Sequence, residues 1–362
     1  MSQRIHNFSA GPGVLPESVL QHARQDLWTH GDHGIGIVEC SHRSAQFEEV
    51  IAGARARIHR LLGCAEDQEV LFLHGGARTQ FFMMPMNLLR GGRAAYHNTG
   101  TWARGAIQDA RRYGQVDVIY DSEKHGFNSV PRQEYALPCR ASSVYLHYTS
   151  NNTVAGTEYH YRPQVPAGTW LACDMSSNFL SRPVDGSAYG FIYAGAQKNV
   201  GASGSTVVIV RKSLLEQCDD TMPAMLSYPA QALKGSMLNT PCTFSIYTIA
   251  RVTEWLEELG GVAAIEQKNV AQATRIYDEI DRTDFWRGKV EEHCRSRMNI
   301  TFTTGNPELD TTFWQSAAKE GMSGLKGHRS VGGIRASVYN AQTDQAIDAL
   351  LDYMRHFQAT YG

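Results

Sequence analysis

The chain has 362 residues, 42% of them hydrophobic and 19% charged, with a formal net charge of −2. That length accommodates two domains and a large core, and the near-neutral balance leaves no basic footprint for nucleic acid or an anionic membrane. No apolar stretch is long enough to span a bilayer, residues 1–8 carry no apolar signal region, and the seven scattered cysteines, none at a CxxC spacing, suggest reduced thiols in a cytoplasm and no metal site.

In chain order, Asn7-Phe8-Ser9-Ala10-Gly11-Pro12-Gly13-Val14-Leu15-Pro16 is rich in glycine and proline and reads as an ordered loop. Pro16 opens a helix expected over 17–28. A glycine-rich stretch from Gly31 to Gly36 leads to His42 and Arg43, which are either a solvated loop pair or an anion clamp. Helix 44–62 carries Phe47, Val50, Ile51, Ala54, Ile58, Leu61 and Leu62 at helical spacing, a core stripe. Glu69–Leu73 is a strand, and His74-Gly75-Gly76-Ala77-Arg78-Thr79-Gln80 turns it into a helix expected from Phe81 to Leu89. Glycines between a strand and a helix start expose backbone N–H groups to an anion, and the helix dipole adds to the attraction. The turn has neither the Walker nor the GxGxxG spacing, so taken alone it is equally a tight connection. Arg93–His97 is a short strand. Trp102 leads into a helix over 103–113, as a core residue or as a platform for a flat cofactor. Strands over 116–120 and 143–148 follow, the second ending in the polar cluster Thr149-Ser150-Asn151-Asn152-Thr153. This alternation predicts an α/β architecture, a large domain with a mostly parallel sheet covered by helices on both faces.

Two strand ends then carry the chemistry. Trp170-Leu171-Ala172-Cys173 runs into Asp174, and Gly190-Phe191-Ile192-Tyr193-Ala194 runs into Gly195-Ala196-Gln197-Lys198-Asn199. Ligands of parallel sheets sit outside the carboxyl ends of the strands, so Asp174 and Lys198 share one edge. A buried ammonium is costly unless it is paired or consumed, and a lysine amine can condense with an aldehyde into a Schiff base. Pyridoxal phosphate requires a lysine for its aldehyde and an acid for its pyridinium nitrogen. Each residue alone has a plainer explanation, a lysine that reaches solvent and an aspartate that caps a loop. Together they favour the cofactor.

Ser205–Arg211 is the next strand, residues 213–216 look helical and 223–241 look irregular. Helices over 243–258 and 262–281 are divided by Gly260-Gly261, where we place the change of domain. The expected organisation is an N-terminal segment 1–16, a large domain 17–259 and a smaller C-terminal α+β domain 260–362. In the last, Met298–Phe302 and Ile334–Tyr339 are strands, Asp310–Lys319 is a helix and Thr343 caps the final one. Arg335 sits on an otherwise apolar strand, where its planar fork suits a carboxylate, although an edge arginine can also snorkel to water.

The stretches Asn7–Pro12, Ser41-His42-Arg43, His74–Arg78, Gly195–Asn199, Asn239-Thr240-Pro241 and Lys326-Gly327-His328-Arg329 through Arg335 occur in order along almost the whole chain. With them the sequence resembles the phosphoserine aminotransferase family, in the class V branch of the fold type I pyridoxal-phosphate enzymes. The lysine and aspartate point only to the superfamily, whereas His42-Arg43 with His328-Arg329 point to the family. The resemblance implies that Lys198 forms the Schiff base with pyridoxal 5'-phosphate, Asp174 binds the pyridine nitrogen, Trp102 stacks on the ring and Thr153 bonds its hydroxyl side. It implies that Ala77, Arg78 and Gln197 hold the cofactor phosphate with the partner subunit's Asn239 and Thr240. Arg335 would hold the substrate α-carboxylate, and His42, Arg43, His328 and Arg329 the distal anion, some of them across a homodimer interface. Ala77 and Thr79 stand where the family often has another small residue and glycine, and backbone donors still serve there. Ala10 stands where some relatives carry serine, and no substrate contact is assigned to it.

The reaction so implied is a reversible transamination between L-glutamate and 3-phosphohydroxypyruvate, giving 2-oxoglutarate and O-phospho-L-serine in serine biosynthesis. The family is also linked to 4-phosphohydroxythreonine in pyridoxine biosynthesis. Two other readings remain open. A class V lyase or desulfurase needs a catalytic cysteine on a mobile loop, and none of the seven cysteines has a recognisable setting for one. A non-catalytic phosphate- or pyridoxal-binding module would use His74–Thr79 alone, against which Asp174, Lys198 and Arg335 argue together.

Overall fold

The computed structural model describes residues 4–135 and 137–362. Its elements begin with β1 (His6–Asn7), α1 (Glu17–Asp26), α2 (Ala45–Leu61), β2 (Gln68–His74), α3 (Arg78–Leu88), β3 (Arg93–Asn98), α4 (Thr101–Ala110) and β4 (Gln115–Asp121). There follow β5 (Tyr145–Thr149), β6 (Asn151–Asn152), β7 (Thr157–Glu158), β8 (Trp170–Asp174), β9 (Phe191–Gly195), β10 (Ser205–Arg211), α5 (Lys212–Leu215), α6 (Tyr228–Leu233) and α7 (Thr243–Glu258). The chain continues through α8 (Gly261–Asp281), β11 (Arg287–Gly288), β12 (Asn299–Thr303), α9 (Pro307–Lys319), β13 (Met322–Ser323), β14 (Ile334–Ser337) and α10 (Asp344–Tyr361).

Seven strands form the central sheet in the order β2-β10-β9-β8-β5-β3-β4. The run from β9 to β4 is parallel, and β10 lies antiparallel between β2 and β9. Residues 196–204 are too few for a crossover, so β10 must double back along β9. Pairing antiparallel to β10 returns β2 to the common direction. All strands but β10 therefore end at one edge, which is the edge that gathers the chemistry.

Continuous apolar strands bury both faces of this sheet. Val70, Phe72, Ile192, Val207 and Ile209 meet Phe47, Ile51 and Ile58 of α2 and Ile246 and Ile249 of α7. On the other face Leu71, Leu73, Tyr193, Val208 and Val210 meet Phe81 and Met84 of α3 and Ile107 of α4. The C-terminal unit has its own three-stranded sheet, β11-β12-β14, and its own core, with Ile276 of α8, Phe313 of α9 and Leu350 and Phe357 of α10. α8 serves both units, since Ile265 packs in the large core while Ala273, Ile276 and Ile280 pack in the small one. β1 pairs parallel with β13, and Phe8 is buried in the small core, so the N-terminal segment is clipped to the C-terminal unit.

Several element ends differ from the sequence expectation. α1 stops at Asp26 because the Asp26 carbonyl accepts from the Ile37 N–H at 2.7 Å and its carboxylate accepts from Tyr247 and Arg251, which turns the chain. α3 begins at Arg78 rather than Phe81, since Ala77 is already helical with no side-chain cap to mark the start. α4 likewise begins at Thr101, behind Gly100. The stretch 223–241 is not wholly irregular. It holds the short α6, whose start is capped by the Ser227 hydroxyl accepting from the Ala230 N–H, with a proline in its first turn.

The small core rests on an aromatic cluster in which Phe313, fully buried, meets Trp286 at 5.2 Å and Phe357 at 5.1 Å between ring centroids. Truncating it leaves a large cavity. Phe313→Ala is expected to cost ~3–5 kcal/mol, seen as a lower urea midpoint by circular dichroism.

Candidate active site

β8 and β5 end side by side, with Thr149 registered against Asp174. The Asp174 carboxylate is buried at 4% exposure, and its Oδ1 accepts from the Ser176 N–H at 2.9 Å. The Ser176 hydroxyl in turn accepts from the Gly195 N–H at 3.1 Å, which ties the end of β9 to the loop behind Asp174. Burial pushes the Asp174 carboxyl up, against the opposing pull of the Lys198 ammonium and the Ser176 donors. Among the described residues no side chain forms an ion pair with Asp174, so its outer oxygen is left for a cationic ligand.

After β9 the chain folds into a tight turn in which the Val200 and Gly201 N–H groups both donate to the Ala196 carbonyl. Lys198 sits in this turn, half-buried. Its Nζ donates to Thr153 Oγ1 at 2.7 Å and stands 5.9 Å from the centroid of the Trp102 ring. Burial brings the Lys198 amine down to about 8, against the pull of Asp174 and with help from the Arg335 charge. From the opposite side the N-terminal loop closes on the lysine, with the Gly13 N–H donating to the Gln197 carbonyl at 2.8 Å. A Cβ on Gly13 would lie 2.6 Å from the Tyr339 ring and 2.8 Å from the Lys198 carbonyl, so only glycine permits this approach.

Arg335 extends from β14, and its Nη1 donates to the Thr153 carbonyl at 3.2 Å. Its Nε is buried without a partner, as is the Trp102 indole Nε1. Orphaned donors of this kind at a cleft mark a missing ligand or ordered water. His328 is drawn down by burial and by the charges of Arg335 and Arg329, which places the imidazole in one neighbourhood with the two guanidinium groups. At the start of α3 the amides of Gly76, Ala77 and Arg78 donate to no group among the described residues, and a Cβ on Gly76 would meet open space. An exposed helix N-terminus with free amides is an anion cradle.

The structure thus brings Lys198, Asp174, Thr153, Trp102 and Arg335 together, with Gln197 beside the lysine and His328 and Arg329 beside the arginine. Ala77 and Arg78 stand at the same sheet edge. His42 and Arg43 are not brought to them within the chain. They lie on the stretch before α2, where Arg43 is exposed and His42 Nε2 is buried without a partner. Asn239 and Thr240 are exposed, and among the described residues the Asn239 side chain bonds His74 alone, at 3.0 Å. Sequence reasoning overlooked Ser176, although an aspartate followed two residues later by serine past a strand end is a turn signal that could have flagged it. It also overlooked Tyr339, whose role appears only when β14 meets the N-terminal loop.

The donor set suits a flat, phosphorylated ring that bears an aldehyde and a basic nitrogen. Residues 5–350 match the family profile described as aminotransferase class-V. The chain belongs to the class-V aminotransferases. The phosphoserine aminotransferase of Desulfotalea psychrophila is 46% identical over 99% of this chain and 99% of its own length. Among solved structures, the phosphoserine aminotransferase from Bacillus circulans subsp. alkalophilus matches with a TM-score of 0.96 at 43% identity, covering 100% of both chains. The pyridoxal-phosphate-bound phosphoserine aminotransferase from Trichomonas vaginalis matches with a TM-score of 0.88 at 34% identity, covering 97% of this chain and 100% of that one. The expected α/β fold, with a mostly parallel sheet between helices, is the one these aminotransferases share.

The cysteines of this class-V aminotransferase do not suit lyase chemistry. Burial pushes the thiols of Cys64, Cys173 and Cys218 up to about 12 and that of Cys294 to about 11, and it raises Cys40 and Cys139 as well. Cys242 packs against the loop after Lys198, where a Cβ on Gly204 would come within 2.5 Å of its sulfur.

The amine of Lys198 must be neutral to attack an aldehyde. In cofactor-free protein mixed with pyridoxal phosphate, the visible band is therefore expected to form faster as pH rises and to level off above about 8. A rate that is flat across that pH contradicts the assignment.

Proposed function

We propose that this aminotransferase exchanges an amino group between L-glutamate and 3-phosphohydroxypyruvate, reversibly, giving 2-oxoglutarate and O-phospho-L-serine, with pyridoxal 5'-phosphate as cofactor. The observation that carries this reading is the convergence of Lys198, Asp174 and Arg335 on one cleft, in a chain 46% identical to a phosphoserine aminotransferase over 99% of both lengths.

When bound, the cofactor supplies a protonated ring that can take up the charge left when the substrate loses its α-proton. Asp174 would keep a proton at the ring nitrogen, and Trp102 would stack on the ring face. Thr153, whose hydroxyl now faces Lys198, would bond the ring's hydroxyl side. The free amides of Gly76, Ala77 and Arg78, with Gln197, would hold the phosphate at the positive end of α3. Lys198 would accept the substrate α-proton at Nζ and return it, and an amine near 8 is well matched to a general base close to neutrality. Arg335 would grip the α-carboxylate with its fork and so fix the α-carbon against Lys198.

One pocket must then accept a γ-carboxylate and a phosphate in turn. A cluster of arginines and histidines suits both, because the guanidinium fork matches either anion and histidine adds charge near neutrality. His328 and Arg329 supply part of it. We place His42 and Arg43, and Asn239 and Thr240 at the phosphate, in the site of a second copy of the chain, so that the enzyme works as a homodimer with shared sites. The exposed apolar side chains of Leu27, Trp28, Ile35 and Val38, on the same stretch of chain as His42, support this, with Trp28 86% exposed. Among the described residues no helix is long and apolar enough to cross a membrane. The seven free cysteines support a cytoplasmic setting.

A visible absorption band with pyridoxal phosphate is expected to bleach on adding L-glutamate and to return with 3-phosphohydroxypyruvate. A band that ignores glutamate would refute the transamination. Lys198→Ala is expected to abolish turnover while circular dichroism shows the fold intact. Arg43→Ala is expected to raise KM for both substrates by about tenfold, the loss of one charge-assisted contact. A rise for the phosphorylated substrate alone would argue against a shared pocket.

A further inference from the structure

A one-way chain of hydrogen bonds runs from the small unit into the large one and back. The Met298 and Asn299 N–H groups both donate to Ser296 Oγ, at 3.0 and 2.9 Å, so this hydroxyl must donate elsewhere, and it does so to Asn151 Oδ1 at 2.6 Å. That sets the Asn151 amide as donor to Ser177 Oγ and to Asn299 Oδ1, each at 2.8 Å. The Asn299 amide is then the donor to Ser337 Oγ at 2.9 Å and to Tyr339 Oη at 3.2 Å, and the Tyr339 hydroxyl donates to the Ala10 carbonyl at 2.6 Å. Asn299 is fully buried and uses its carbonyl and its amide group at once.

Each partner lies a short step from a residue of the site. Asn151 is two positions before Thr153, and Ser177 is three after Asp174. Ser337 is two after Arg335, on the same face of β14, and the pairs Asn299–Ser337 and Thr301–Arg335 stand two rungs apart on the ladder between β12 and β14, with Ile300–Ala336 between them. Ala10 precedes Gly11, where a Cβ would touch the Lys198 side chain at 3.5 Å. No other side chain among the described residues hydrogen-bonds to all three of these places, the β6 segment, β14 and the ring that anchors the N-terminal loop. A buried amide whose orientation is dictated by backbone N–H groups has one geometry available to it.

We propose that Asn299 is the positioning residue that sets Arg335 and the Ala10–Gly13 loop against Lys198 and Asp174. This rests on the reading of Arg335 as the carboxylate-binding group. The guanidinium must meet the substrate within a fraction of an ångström for the α-carbon to face Lys198, and β14 belongs to a unit with a separate core, so something must lock its register to the large sheet. Asn299 does this without touching substrate or cofactor.

The test compares Asn299→Ala, Arg335→Ala and the double variant, each saturated with pyridoxal phosphate. Asn299→Ala is expected to raise KM for both L-glutamate and the keto acid by about tenfold, with a smaller change in kcat. Its visible band and its affinity for pyridoxal phosphate are expected to stay as in the parent, because Lys198 and Asp174 are untouched. The double variant is expected to have KM values no higher than Arg335→Ala alone, since one residue acts through the other. Unchanged KM values with only a lower melting temperature, or additive losses in the double variant, would overturn the proposal. Should Asn299→Ala not fold, Ser337→Ala removes only the link to β14 and is expected to raise both KM values in the same direction, and unchanged values there would equally overturn it. Arg335→Ala with normal KM values would instead overturn the carboxylate role of Arg335 itself, a result separable from the behaviour of Asn299.

Discussion

Holding a lysine amine at the edge of a buried sheet is the constraint on which this structure turns. Lys198 is flanked by Thr153, Trp102 and Asp174, and burial takes its amine down to about 8. A pocket dry enough to do that would penalise an idle ammonium. It favours an amine that is neutral for part of its working life, as both attack on an aldehyde and proton abstraction require. Asp174 meets the complementary need. Among the described residues it is buried with no ion pair of its own and feels the Lys198 charge, a setting suited to a cationic ring.

The sheet order explains why these groups meet. The turn that holds Lys198 is too short to cross over, so β10 doubles back and separates β2 from β9. The glycine turn after β2 nevertheless emerges at the same edge, because two antiparallel pairings restore its direction. An anion cradle at the start of α3 and a lysine after β9 can then serve the two ends of one phosphorylated ring. The small unit completes the cleft with Arg335, and the N-terminal loop threads between them. That loop is clipped to the small unit through β1 and β13, while its Gly11–Gly13 stretch lies on Lys198. The buried amides of Asn151 and Asn299 hydrogen-bond the two units to each other at 2.8 Å.

The distribution of cations fits a pocket for two different anions. Arg335, His328 and Arg329 gather within one chain, whereas among the described residues no contact joins His42 or Arg43 to them, and Asn239 meets the end of β2 through His74.

Local patterns determined much of this without a structure. Apolar runs ending in Asp174 and before Lys198 announced two neighbouring strand ends, and the acid and the amine taken together, though neither alone, pointed to chemistry there. The glycines after β2 marked a turn open equally to an anion or to a tight connection, and the helical stripe of α2 announced a packed face. Element ends were less legible, as at Arg78 and Thr101, where no capping side chain marks the helix start and only packing decides it. Tertiary structure alone decided that Gly13 must lack a side chain beside Tyr339, that the Tyr339 hydroxyl reaches the Ala10 carbonyl, and that Asn299 links Asn151 to Ser337. Those contacts join residues up to 329 positions apart, and a hydrogen bond between distant amides and hydroxyls leaves no periodicity or spacing in the sequence from which it could be read.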